Sequence, residues 1–205
     1  MLGLRRIFQL AAGLVLYGLS DAMILGAQLG ADPWDVFHQG LARRTGFAVG
    51  TCSILVGAGV LLLWIPLRQR PGFGTLCNVV VIGAVINVAL PLMPRLPGLA
   101  TGVALLLAGV FLNGVATGAY IGAGLGPGPR DGLMTGYAAR GHPIRVVRTV
   151  IEITVVAAGF ALGGTVGIGT LVYALGIGPL AHVFVPRLAI KSHQAERWRV
   201  LGHGT

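Results

Sequence analysis

Apolar residues in this chain come in long uninterrupted blocks, separated by short segments rich in glycine, proline and charge. Six blocks run for about 20 residues, the length a helix needs to cross a hydrocarbon layer of ~30 Å. They extend from Ile7 to Leu29, Phe47 to Leu67, Phe73 to Met93, Leu99 to Ala123, Ile144 to Leu162 and Ile168 to Val185. Six main transmembrane helices in a single membrane domain are therefore expected. The first block follows Arg5 and Arg6 but offers no small-residue cleavage site before a polar start, so it reads as a span and not a signal peptide. From Pro186 the chain turns polar and basic, and KSHQAERWR is expected to form an interfacial helix on the membrane surface.

Two interruptions share one design. Residues 28–46 read QLGADPWDVFHQGLARRTG, and residues 124–141 read GLGPGPRDGLMTGYAARG. In the first, Asp32 is a good N-cap, Pro33 suits the first helical position, and Asp35 falls three residues after the cap. In the second, Gly128, Pro129 and Asp131 take those places. The glycines before them, Gly30 and Gly126 among them, permit a sharp reversal. Each device predicts a span, a tight turn, and a half-helix of roughly three turns that re-enters without crossing. Such backbone is tolerated at membrane depth only where protein or a watery cavity satisfies it.

The likeness extends along the chain. At an offset of 96, Gly18 matches Gly114, Leu29–Gly30 matches Leu125–Gly126, Pro33 matches Pro129, Asp35 matches Asp131 and Arg44 matches Arg140. After a one-residue gap, GFGT at 72–75 matches GIGT at 167–170, and Gly83 matches Gly178. Repeat 1 covers about 7–94, repeat 2 about 99–187, and a basic tail fills 188–205. Three spans per repeat put equivalent loops on opposite faces, which is the inverted-topology plan of many secondary transporters. Arginine and lysine placement sets the orientation. With both termini cytoplasmic, twelve of them lie inside and three, Arg43, Arg44 and Arg95, lie outside, as the positive-inside rule requires.

Composition agrees with this reading. Apolar residues make up 55% and charged residues 10%, against about 25% charged in ordinary globular domains. The net charge of +9 collects at helix ends, so it argues for membrane orientation and against nucleic acid. Cys52 and Cys77 fall near opposite faces and are not expected to pair.

Ionisable groups inside apolar spans usually face a protein interior or cavity. The candidates for a substrate or ion pathway are Asp21, Asp35, Arg130, Asp131, Arg148, Glu152, Asn87 and His182. Asp35 and Asp131 either offset helix dipoles or line a path; Arg130 either binds an anion at a helix start or anchors the cytoplasmic end. Arg148 and Glu152 stand one turn apart, suited to a structural pair or a gate. Asn87 and His182 are repeat equivalents, as are Asn78 and Tyr173; with Asn113 they either bond across helices or line the site. Gly30, Pro33, Gly126, Gly128 and Pro129 build the half-helix turns. No catalytic motif, metal-ligand spacing or cofactor fingerprint is present. His193 and Glu196 in the tail make a weak pair, and His142 reads as interfacial.

The glycine-rich turn running into PxD, as LGADPWD and LGPGPRDG, followed after a span by GxGT, resembles the YczE/YyaS/YitT-type family of bacterial integral membrane proteins. The likeness covers most of residues 10–186 and is nearest to its shorter, YczE-like members. It implies a multi-pass protein of the bacterial cytoplasmic membrane and brings no activity. The expected function is transport of a small solute between two inverted repeats, with no cofactor. The lipid bilayer is its solvent, and self-association is open. The rival is a non-transporting scaffold or accessory subunit; an enzyme is not expected.

Overall fold

In the computed structural model, which describes residues 2–93 and 98–190, the chain is all-helical. Eight α-helices appear among the described residues: α1 Leu2–Gly26, α2 Pro33–Thr45, α3 Val49–Leu67, α4 Phe73–Ala89, α5 Leu99–Gly122, α6 Pro129–Ala138, α7 Ile144–Ala161 and α8 Ile168–Leu188. Five of them, α1, α3, α4, α5 and α8, are long and apolar enough to cross a membrane by length and composition. The protein is an integral membrane protein. The expected fifth span forms as α7 but falls outside that set, because Arg145, Arg148 and Glu152 lie within its 18 residues.

Boundaries differ from expectation where backbone chemistry intervenes. α1 starts at Leu2 instead of Ile7 and stops at Gly26 instead of Leu29, because Gln28 and Gly30 take left-handed φ values of 56° and 106°. The third span ends at Ala89, and a short 3-10 turn, Leu90–Leu92, carries the chain through Pro91. α8 accommodates both Pro179 and Pro186 and ends at Leu188, three residues beyond the expected limit. The surface helix expected over KSHQAERWR, with His193 and Glu196, lies outside the described residues, as does Arg95.

Small residues set the packing. α1 crosses α5 with Gly13 against Ala119–Tyr120 and Gly109 against Ser20 and Ile24. α1 leans on α4 through Gly18, which meets Ile82 and Val85; α5 leans on α8 through Gly114, which meets Leu180. Close approach at glycine lets membrane helices gain dispersion contacts where no hydrophobic force between them exists. The short helices cross over, α2 packing on α7 and α6 on α3. Size is exchanged at these two joints. Gly132 of α6 accepts the Trp64 indole of α3, while Gly159 of α7 accepts the backbone of α2 at Val36–Phe37.

The GxGT segments clasp the turns that precede the short helices. Gly74 N donates to Leu125 O (2.8 Å), and Gly169 N donates to Leu29 O (2.7 Å). Thr75 Oγ1 accepts from Gly72 N (3.2 Å) and donates to Pro127 O (2.7 Å); Thr170 Oγ1 accepts from Gly167 N (3.3 Å). Gly30 and Gly126 are both left-handed. A Cβ at Gly30 would stand 2.6 Å from Gly167 N, and one at Gly126 would stand 2.7 Å from Thr75 Oγ1. Both conformation and space demand glycine there. The far ends of the short helices are tied as well. Arg43 donates to Gly163 O and Arg140 to Pro66 O, each reaching the end of the helix its own short helix packs on.

One joint has no counterpart. α3 and α4 are in close contact, with Gly50 and Gly83 backbone to backbone and Asn87 Nδ2 donating to Thr51 Oγ1 (3.0 Å). α7 and α8 barely meet, and the space between them is a groove of ≈460 Å³ lined by Glu152, Val156, Phe160, Thr170 and Leu171 among others.

Candidate functional site

The N-terminal ends of α2 and α6 come together, Arg130 reaching Asp32 and Trp34. Asp32 caps α2, its Oδ1 accepting from Asp35 N (2.6 Å), and Pro33 follows at the first helical position. Gly128 and Pro129 take the matching places at the start of α6, without a side-chain cap, and Trp64 Nε1 of α3 donates to Pro129 O (3.0 Å). Across the gap Arg130 donates to Asp32 Oδ2 (3.3 Å), and its guanidinium lies 5.2 Å from the centre of the Trp34 ring. Two positive helix ends thus converge, and carboxylates gather around them.

Beside this junction lies a cavity of ≈170 Å³. Its polar lining includes Tyr17, His38, Asn78, Tyr120, Arg130, Asp131, Arg148 and Tyr173, with Trp34 as the principal aromatic wall. Asp131 Oδ2 accepts from Tyr120 Oη (2.6 Å), and Tyr120 in turn packs edge-on against Tyr17. Tyr173 Oη donates to Asn113 Oδ1 (3.1 Å). Asn113 Nδ2 donates to Asp21 Oδ1 (2.8 Å) and to Ser20 Oγ (3.0 Å). His38 Nδ1 meets Asp35 Oδ1 at 2.9 Å.

Three carboxylates stand together behind the lining. Asp21 of α1, with Asp32 and Asp35, presents ligand atoms within 4.8 Å of one another, and all three side chains are buried. The second oxygens of Asp21 and Asp35, and His38 Nε2, have no hydrogen-bond partner among the described residues. An unsatisfied buried polar atom costs about 1–3 kcal/mol, more when charged.

The candidates read from sequence fall into three groups. Asp35, Asp131, Arg130 and Asp21 converge on the cavity or the cluster behind it. Arg148 and Glu152 form a pair at 2.9 Å. Arg148 lines the cavity and Glu152 the α7–α8 groove, so the pair sits between the two spaces. Asn87 and His182 are not brought together: Asn87 bonds Thr51 in the closed α3–α4 joint, and His182 is exposed on α8. Gly30, Pro33, Gly126, Gly128 and Pro129 all lie at the two turns.

His38, Tyr17 and Tyr120 did not stand out in the sequence, and Asp32 was legible only as a cap. The i, i+3 spacing of Asp35 and His38 on a half-helix was the available signal for the histidine. Nothing local marks the tyrosines, which belong to otherwise apolar spans.

Comparison with known proteins follows the same outline. The profile described as "Family of unknown function (DUF6198)" matches residues 4–186. A protein of Haemophilus influenzae described as "Uncharacterized protein" is 39% identical over 181 residues, covering 88% of this chain and 83% of its own. The "Uncharacterized membrane protein YczE" of Bacillus subtilis is 35% identical over 179 residues, covering 86% and 83%. No solved structure matches. The cavity, the two half-helices and the clasps all fall within the matched span, and the chain belongs to the DUF6198 family of YczE-like membrane proteins.

Proposed function

We propose that the protein moves a small polar solute across the bacterial cytoplasmic membrane by alternating access between two inverted repeats. The observation that carries the reading is the polar cavity where the two half-helix N-termini meet, since transporter sites lie between discontinuous helices at a repeat interface. The paired joints support the repeat: α1–α4 with α5–α8, α2–α7 with α6–α3, and one GxGT clasp with the other. In this reading α7 is the sixth span, both termini are cytoplasmic, and α2 and α6 enter from opposite faces.

The difference between the α3–α4 and α7–α8 joints supports alternation. An inverted repeat that closes one joint and opens its counterpart can reach the opposite-facing state by exchanging the two. The Arg148–Glu152 pair stands at the open joint, where closure would bury it. The scaffold reading would instead use the apolar α7–α8 groove as a fixed seat for a partner.

Topology is tested by single cysteines at positions 43 and 140, with the native cysteines replaced. Labelling from opposite faces is expected; labelling from one face removes the inverted repeat. Transport is tested by screening metabolites for a raised melting temperature and following the hits into proteoliposomes. Cross-linking Val146→Cys to His182→Cys across the open joint is expected to abolish uptake. Uptake that survives the cross-link removes alternation, and a screen with no hit favours the scaffold.

A further inference from the structure

We propose that Asp21, Asp32 and Asp35 form a binding site for a hard divalent cation, calcium in preference to magnesium. The site is a claim about binding and stands whether or not the protein carries a solute.

Charge is the first argument. Three buried carboxylates share one guanidinium, that of Arg130, which engages a single oxygen of Asp32. With all three ionised, even the α2 dipole, about half a positive charge at its N-terminus, would leave an excess of negative charge in an apolar surround. A buried charge without a partner is retained only where a counter-charge or a metal completes it.

Unpartnered atoms are the second and independent argument. Asp21 has one oxygen fixed by Asn113 and Asp35 has one fixed by His38, while Asp32 has both engaged, Oδ1 by the Asp35 amide and Oδ2 by Arg130. That leaves the second oxygens of Asp21 and Asp35 buried and unbonded, on residues 0% and 1% exposed. The fixed bonds orient the ligands, the role that outer partners play around metal sites.

Donor chemistry selects the ion. One oxygen from each of the three carboxylates lies within 4.8 Å of the others, close enough to share one ion in the flexible oxygen coordination that calcium accepts. Magnesium keeps several waters, is bound through one or two carboxylates and demands near-octahedral geometry, so a three-carboxylate cluster suits it less. The donors are oxygens throughout, which disfavours soft transition metals. Asp21 comes from α1, Asp32 from the N-cap of α2 and Asp35 from its first turn, so the ion would pin the first half-helix to the first span.

The experiment uses purified full-length protein in detergent, titrated with CaCl2, MgCl2, NaCl and choline chloride at constant ionic strength. Expected are a saturable rise in melting temperature with Ca2+, and terbium luminescence sensitised by protein aromatics that Ca2+ displaces and Na+ does not. Asp21→Asn, which can keep its bond to Asn113, and Asp35→Asn should each weaken Ca2+ binding by more than about tenfold. No saturable Ca2+ response overturns the proposal, as does a response to Na+ in place of Ca2+. Ca2+ affinity unchanged in both variants overturns it too. If one variant fails to fold, the other carries the comparison. Because no solute enters this test, its failure leaves the transport reading intact, and the reverse also holds.

Discussion

Two helix joints that occupy matching places in the chain differ in kind. At α3–α4 a pair of glycines, Gly50 and Gly83, lets the two backbones touch, with the Asn87 and Ile54 side chains packed alongside. At α7–α8 the glycine that matches Gly83 is Gly178, and a Cβ built there would meet nothing within 4 Å. The same residue type is thus compulsory in one place and idle in the other. In the alternating-access reading proposed above, Gly178 becomes crowded when the α7–α8 joint closes. The same contrast holds for the polar residues one helical turn and a little further on. Asn87 is engaged with Thr51, while His182 faces outward.

The sharpest way to break this contrast is at the joint between α6 and α3. Trp64→Ala removes the indole that fills the space beside Gly132 and the donor to Pro129 O. It should cost about 3–5 kcal/mol, read as a fall in melting temperature of detergent-purified protein. Gly83→Val should follow, at about 1–3 kcal/mol from overpacking. The matched Gly178→Val should leave the melting temperature nearly unchanged while blocking uptake of whatever solute is identified. Equal destabilisation by the two valines would erase the distinction between the joints.

The clasps are the next test. Thr75→Val loses a bond to Pro127 O as well as the Gly72 cap, whereas Thr170→Val loses only the cap to Gly167. At about 0.5–1.5 kcal/mol per bond, the first variant should be the less stable of the two in the same melt. Smallest of all is Arg148→Gln. Its pair with Glu152 is 51% and 28% exposed, so the expected loss is below about 1 kcal/mol. A larger loss would mean that α7 is already packed at its charged face and that the groove is not open.

Much of the architecture was legible because apolar length and turn chemistry are local properties. Asp32 and Pro33 announce the start of α2, and the structure uses both as caps do. The six apolar blocks all became helices, and α7 differs from the other five in carrying Arg145, Arg148 and Glu152 within its 18 residues. What sequence order hides is convergence. Asp21 lies eleven residues before Asp32, on a different element, and no spacing rule joins them. The recurrence of GxGT was visible, but its purpose was not, since each copy serves a turn in the opposite half. Asn87 and His182 were paired by position, yet pairing by position says nothing of which joint is shut.

The clasps carry a consequence for how the protein is made. The turn at Leu29–Gly30 is closed by an amide from Gly169, which leaves the ribosome some 140 residues later. The earliest fold in the chain must therefore wait, inserted but unfinished, for α8, the last of the described helices, to arrive.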